Sequence, residues 1–231
     1  MPQPPLRRLE VCVMSIKAII FDMDGVIFDS ERLILDCWIK VAKKYGIDDI
    51  EQTCRACIGI NRQATEATFY RRYGENFDYD KYRHEAADMF FASLENGILP
   101  IKTGVRELLD FIEKSNIPAA IASSTKAEIV TRELRDAGLL DHFYGIVGGD
   151  MVQNSKPAPD IFLLAAEKLG VKPEECLVIE DSHNGIRAAA NANMHSIMVP
   201  DLLPPTDEMR ELSDKVLDTL LDVKEYIRKC L

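Results

Sequence analysis

Five short runs of apolar residues have the length and composition of buried β-strands. They lie at residues 17–21, 118–122, 146–147, 176–179 and 196–199. Segments with helical spacing separate the later runs, and they end at Gly138, Gly170 and Asn193, residue types that favour a left-handed conformation. Strands that alternate with helices predict an α/β fold with a doubly wound, Rossmann-like parallel sheet.

The alternation is interrupted after the first strand. Asp29 and Ser30 are candidate capping residues for a helix that stops at Gly46, and every convincing pattern from about 48 to 96 is also helical. A stretch of this length is too long for one crossover between parallel strands, so it predicts an inserted α-helical cap domain. The predicted organisation is an N-terminal tail over residues 1–15, a core over 16–30 and 96–231, and a helical cap over 31–95.

Charge and composition exclude some classes of partner. The 231 residues include 28 Lys and Arg against 38 Asp and Glu, a net charge of −10. Nucleic acids and anionic membranes attract basic surfaces, so neither is predicted as a partner, whereas a small anion needs only a few local cations. The six cysteines are too scattered for a secreted disulfide scaffold, and no signal peptide is recognisable. Reduced thiols and a cytoplasmic location are therefore predicted.

Polar side chains follow four of the predicted strands, at the sheet edge where open α/β proteins bind ligands. They are Asp22 and Asp24 after the first strand, Ser123 and Ser124 at the end of the second, Lys156 after the third, and Glu180 and Asp181 after the fourth. If the first and fourth strands are neighbours, the four carboxylates converge and cannot all stay ionised without a cation, and oxygen ligands favour Mg²⁺. A lysine, a hydroxyl and a helix N-terminus suit phosphate, so the set predicts phosphoryl transfer.

These residues resemble the motifs of the haloacid-dehalogenase-like hydrolase superfamily over nearly the whole chain. The motifs are residues 21–26, Ser123, residues 155–160 and residues 178–182. The inserted block resembles the cap of the branch that contains β-phosphoglucomutase and many small-metabolite phosphatases. Members of that branch look self-contained, so the resemblance implies a monomer.

The resemblance implies a role for each core residue. Asp22 is the expected nucleophile that forms an aspartyl-phosphate, and Asp24 is the expected general acid and base. Expected Mg²⁺ ligands are Asp22, the backbone carbonyl of Asp24, Asp181, and Glu180 directly or through water. Ser123 and Lys156 are expected to bind phosphoryl oxygens, with Ser124 beside them.

The sequence leaves the reaction partly open. A Mg²⁺-dependent phosphatase of a small phosphorylated metabolite, such as a sugar phosphate, is the favoured function. A phosphomutase is the first alternative, but its pattern has a histidine where Ile34 stands here. A non-catalytic phosphometabolite-binding protein is the second. In the cap, Gly59 and Arg62 resemble a substrate-facing loop, where Arg62 would meet a second anionic group.

Overall fold

The computed structural model describes residues 15–230, so the predicted tail lies almost wholly outside the described residues. The strands are β1 (Ala18–Phe21), β2 (Ala119–Ser123), β3 (Gly145–Gly148), β4 (Cys176–Glu180), β5 (His195–Met198) and β6 (Lys215–Val216). They form one sheet in the order β3-β2-β1-β4-β5-β6, and every neighbouring pair is parallel. The predicted parallel α/β sheet is confirmed.

The helices fall into two groups along the chain. The first four follow β1 directly: α1 (Ser30–Tyr45), α2 (Ile50–Ala56), α3 (Arg62–Tyr73) and α4 (Tyr79–Ser93). The others alternate with the remaining strands or follow them: α5 (Val105–Lys114), α6 (Ala127–Asp136), α7 (Asp160–Leu169), α8 (His183–Asn191), α9 (Asp207–Leu212) and α10 (Leu220–Cys230). Single 3₁₀ turns form at Glu95–Gly97, Leu140–His142 and Pro173–Glu175.

The central strands are apolar throughout because both faces of the sheet are covered. Successive side chains of a strand point to opposite faces, so Ile19 and Phe21 join one core cluster while Ala18 and Ile20 join another. Helices α5, α6 and α10 supply residues to the first cluster, and α7 and α8 supply the second. The sheet is thus held rigidly between two helical layers, which fixes the positions of its strand ends.

Helices α1 to α4, called here the helical segment (residues 30–93), have an apolar core of their own. Trp38 lies at its centre, 4.8 Å from the Phe69 ring and 6.2 Å from the Tyr79 ring between centroids. Val41 and Ala86 are fully buried beside them. The aromatic residues of this segment therefore pack its helices together.

The predicted strands agree with the structure to within one or two residues, but the helix start at Ser30 differs from expectation. Asp29 makes no capping hydrogen bond, so its predicted capping role is wrong. Ser30 Oγ instead donates a 2.5 Å hydrogen bond to the Asp24 carboxylate. A residue expected to cap a helix belongs to the polar edge of the sheet.

The cysteines are mostly as predicted. Cys37, Cys54, Cys57 and Cys176 are free thiols. Cys230 is disulfide-bonded, so the prediction of reduced thiols is wrong for this residue.

A search of the described part of the chain finds no helix that combines the length and apolarity needed to cross a membrane.

Candidate active site

Three buried carboxylates meet where β1 and β4 end. The two strands are neighbours, and their register pairs Phe21 with Ile179, so the next residues, Asp22 and Glu180, emerge side by side. Asp181 follows Glu180, and one carboxylate oxygen from each of the three lies within 4.8 Å of the others. All three residues are at least 95% buried. The sheet register therefore forces like charges together out of contact with water.

Lys156 partly neutralises this cluster. It comes from the loop after β3, and its Nζ donates to Asp22 Oδ1 at 2.5 Å, to Glu180 Oε1 at 2.8 Å and to the Ala122 carbonyl at 3.2 Å. Burial opposes its charge, but the two carboxylates outweigh that effect and raise the pKa of Lys156. The ammonium therefore stays charged and fixes the positions of both acids.

Lys156 does not balance all of the negative charge of Asp22, Glu180 and Asp181. Burial raises the pKa of Asp22 to about 7, against the opposing effect of Lys156 and with the charges of Glu180 and Asp24 adding to it. Burial, followed by the charges of Glu31 and Glu180, holds the pKa of Asp181 well above its usual range. Both Asp181 oxygens are buried without a hydrogen-bond partner. Unpaired buried acceptors are costly, and here a hard cation would satisfy them.

Gly25 leaves room for Asp181 at this point. Its φ is +81°, and a Cβ atom added to it would lie 2.4 Å from Asp181 Oδ2. Any side chain at position 25 would therefore occupy the space next to the unpaired oxygens.

The Asp24 carboxylate does not belong to the cluster of three buried acids. Its carboxylate accepts hydrogen bonds from Ser30 Oγ at 2.5 Å and from Thr125 Oγ1 at 3.0 Å. It lines the same cavity as Asp22. Two hydroxyl donors thus position an acid that faces open space, the arrangement needed for proton transfer to a bound molecule.

The two serines at the end of β2 have different surroundings. Ser123 is buried, and its Oγ accepts a 3.1 Å hydrogen bond from the Thr125 backbone N–H, which leaves its own hydroxyl hydrogen for another acceptor. Ser124 Oγ donates to the Gly59 carbonyl at 3.2 Å. Ser124 therefore connects the core to the helical segment.

A cavity of about 500 Å³ lies between these strand ends and the helical segment. Five of the residues predicted for the site line this cavity: Asp22, Asp24, Gly59, Arg62 and Ser124. The other four are buried and do not line it: Ser123, Lys156, Glu180 and Asp181. Arg62 begins α3 and makes a 3.2 Å ion pair with Asp80, in which both side chains are more than half exposed. Its guanidinium is therefore available to a ligand.

Sequence reasoning missed three charged residues of this wall: Glu31, Arg83 and Glu133. Burial, and then the charge of Asp24, raises the pKa of Glu133 to about 7. Its spacing after Ile129 in α6 places both residues on the face of the helix that follows Lys126, the N-cap residue, a signal that was readable in the sequence. Glu31 and Arg83 carried no such signal, because an acid in the first turn of a helix and a basic residue on a polar helix face are ordinary surface features.

Comparisons with known proteins agree with this geometry. A profile of the family described as haloacid dehalogenase-like hydrolase matches residues 19–199. A phosphorylated carbohydrates phosphatase of Thermotoga maritima is 37% identical over 186 residues, covering 78% of this chain and 83% of that protein. A probable pseudouridine-5'-phosphatase of Drosophila melanogaster is 32% identical over 228 residues, covering 95% of this chain and 93% of that protein. The crystal structure of a β-phosphoglucomutase from Clostridium difficile superimposes with a TM-score of 0.77 at 30% identity, covering 93% of this chain and 96% of that one.

Proposed function

This chain belongs to the haloacid dehalogenase-like hydrolase family, and we propose that it is a Mg²⁺-dependent phosphatase of a small phosphorylated metabolite. One observation carries the proposal: Asp22 is buried against Lys156 at the floor of a cavity, beside an Asp181 whose oxygens have no partner. A carboxylate fixed by a lysine, next to two unpaired carboxylate oxygens that could hold a metal cation, is an arrangement that suits attack on a phosphate dianion.

The residues present fit a magnesium ion. Asp22, Glu180 and Asp181 offer only oxygen ligands, and with Lys156 they leave two negative charges uncompensated. A divalent cation balances that charge and satisfies the unpaired oxygens of Asp181. When bound, it would neutralise charge on the phosphoryl group and draw that group towards Asp22. Asp24 would contribute its backbone carbonyl, because its carboxylate is engaged by Ser30 and Thr125.

The chemistry follows in two displacements. A carboxylate oxygen of Asp22 forms a bond to phosphorus while the bond from phosphorus to the leaving oxygen breaks, and Asp24 protonates that oxygen. Asp24, now a base, then removes a proton from water as the water attacks the aspartyl-phosphate. Phosphate leaves and Asp22 is regenerated. Ser123, whose hydroxyl hydrogen is not engaged, and Lys156, by exchanging one of its three hydrogen bonds, would bind the phosphoryl oxygens throughout.

The cavity supports a small substrate. Its volume of about 500 Å³ lies within the range of roughly 300–1,000 Å³ usual for small-molecule sites. Arg62 lines it from the first turn of α3 and would select a second anionic group, with Gly59 also in the wall. The helical segment would act as a cap that covers the substrate. The proposal includes a monomeric enzyme and a cytoplasmic location. The free thiols of Cys37, Cys54, Cys57 and Cys176 favour that location, whereas the disulfide at Cys230 does not.

A phosphatase fits the cavity better than a phosphomutase. Ile34 lines the cavity at the place where the mutase pattern has a histidine, and an isoleucine neither gives nor takes a proton. Incubation with a hexose 1-phosphate separates the two reactions: inorganic phosphate is the expected product, and a hexose 6-phosphate would favour the mutase.

The decisive experiment is a phosphate-release screen of the full chain against a broad panel of phosphorylated metabolites, with Mg²⁺ and with a chelator. We expect turnover that the chelator abolishes and that Asp22→Asn abolishes. Asp36→Asn, an exposed acid on α1, is the matched control and should keep full activity. Binding of phosphorylated ligands without turnover in Mg²⁺ would indicate a non-catalytic binding protein instead.

A further inference from the structure

A second group of three acids lies beside the proposed magnesium site. Glu31 in the first turn of α1, Asp181 after β4 and Asp201 after β5 each place a carboxylate oxygen within 4.8 Å of the others. Asp181 also belongs to the first cluster, whereas Glu31 and Asp201 do not. Phosphoryl transfer as described above assigns no role to either of these two residues.

Asp201 is a buried acid whose two carboxylate oxygens have different surroundings. Its side chain is only 7% exposed. Asp201 Oδ1 accepts from Lys102 Nζ at 2.9 Å and from Arg32 Nη2 at 3.5 Å, but Oδ2 is buried with no hydrogen-bond partner. Glu31 Oε2 is likewise buried and unpartnered. Two orphaned acceptors face the orphaned oxygens of Asp181, and no protein donor among the described residues reaches any of them.

An ion held by Asp22, Glu180 and Asp181 leaves Glu31 and Asp201 of the second group outside its ligand set. Such an ion balances the charge of the first cluster together with Lys156, whereas in the second group Lys102 and the largely exposed Arg32 pair only with Asp201. A substrate phosphate then adds negative charge to the same corner. Buried carboxylate oxygens without a partner are costly, so a further cation beside Glu31 and Asp201 would stabilise this corner.

We propose that Glu31, Asp181 and Asp201 form a second site for a hard cation, distinct from the Mg²⁺ site and joined to it through Asp181. Asp181 has two unpartnered oxygens, one for each ion. The oxygen-only ligand set selects Mg²⁺, Ca²⁺ or an alkali cation over softer metals. Because Glu31 lies in the first turn of α1, this ion also links the start of the helical segment to the loops that follow β4 and β5.

The test counts ions rather than activity. Chelator-treated full-length protein is titrated with Mn²⁺, and bound metal is counted by electron paramagnetic resonance in a buffer whose only other cation is tetramethylammonium. We expect two Mn²⁺ per chain, falling to one in Glu31→Gln and in Asp201→Asn. The exposed Asp218→Asn is the matched control and should keep two. If Asp201→Asn fails to fold, the counts for the parent chain and Glu31→Gln decide.

A second arm identifies a monovalent occupant. Melting temperature is measured in Mn²⁺ with added KCl, NaCl or tetramethylammonium chloride. One Mn²⁺ per chain, with a K⁺- or Na⁺-specific stabilisation that Glu31→Gln removes, supports the site with an alkali ion. One Mn²⁺ per chain without such stabilisation overturns the second site and leaves the phosphatase proposal intact. No bound Mn²⁺ at all would overturn the magnesium site as well.

Discussion

Replacement of the proposed nucleophile should abolish catalysis and yet stabilise the metal-free protein. Asp22 is 95% buried, and burial raises the pKa of its carboxyl from 3.8 to about 7 despite the Lys156 ammonium. At about 1.4 kcal/mol per pH unit, that difference means that the ionised carboxylate costs the folded state about 4 kcal/mol. Asp22→Asn keeps the shape of the side chain and removes the charge, while Lys156 retains Glu180 as a partner.

The sign of the pH dependence follows from the same values. Because the pKa of Asp22 is higher in the folded than in the unfolded chain, the folded state binds more protons between about pH 4 and 7, and stability falls as pH rises through that interval. Asp22→Asn lacks this contribution. Its advantage over the parent chain should therefore grow by about 2–3 kcal/mol between pH 5 and pH 8.

Urea unfolding in EDTA, followed by circular dichroism at both pH values, measures the effect. Asp36→Asn should show no pH-dependent change relative to the parent chain. Excess Mg²⁺ should reduce or reverse the advantage, because only the parent chain keeps the full ligand set and gains binding free energy. An Asp22→Asn chain that is no more stable than the parent at pH 8 in EDTA would refute the reasoning.

Three further outcomes test other parts of the site. Lys156→Met leaves its two carboxylate partners buried without a counter-charge and should cost about 3–5 kcal/mol in unfolding experiments in EDTA; an unchanged stability would contradict the buried ion pair. Gly25→Ala should weaken Mg²⁺ binding measured by calorimetry, since its methyl group would collide with Asp181, whereas Gly138, which also has a positive φ (+66°), has open space around it, so Gly138→Ala should leave binding unchanged. Arg62→Ala should raise KM by about tenfold or more for substrates with a second anionic group and leave KM for an aryl phosphate unchanged; equal effects on both would argue against a distal anion subsite.

The fold was predictable from sequence wherever a strand is buried on both faces. The apolar runs of β1 and β4 are typical of strands that are buried on both faces of a parallel sheet. The acids that follow them come together because these two strands are parallel neighbours and end at the same edge. Strand β6 has only two residues, one of them exposed, so it carries no periodic signal. Its existence depends on the neighbour β5 rather than on its own side chains.

The cavity wall was less predictable because it depends on how the helical segment lies against the core. Glu31 and Arg83 are ordinary polar helix residues in sequence, and only the packing of α1 and α4 over the sheet edge turns them towards the acids. Ser30 was interpreted as a helix cap, although its hydroxyl donates to Asp24. A local sequence pattern indicates which helix or strand a residue belongs to. The roles of Glu31, Arg83 and Ser30 depend instead on contacts between elements that are distant in sequence.

The sheet order has a consequence for folding during synthesis. Strand β1 is completed at Phe21, and one of its two neighbours, β2, follows at Ala119, but the other, β4, begins only at Cys176. Until the ribosome has released β4, one edge of this apolar strand lacks its hydrogen-bonding partner, which is the kind of surface that invites pairing with another nascent chain. The repelling carboxylates also meet only at that moment, because Glu180 and Asp181 are synthesised long after Asp22.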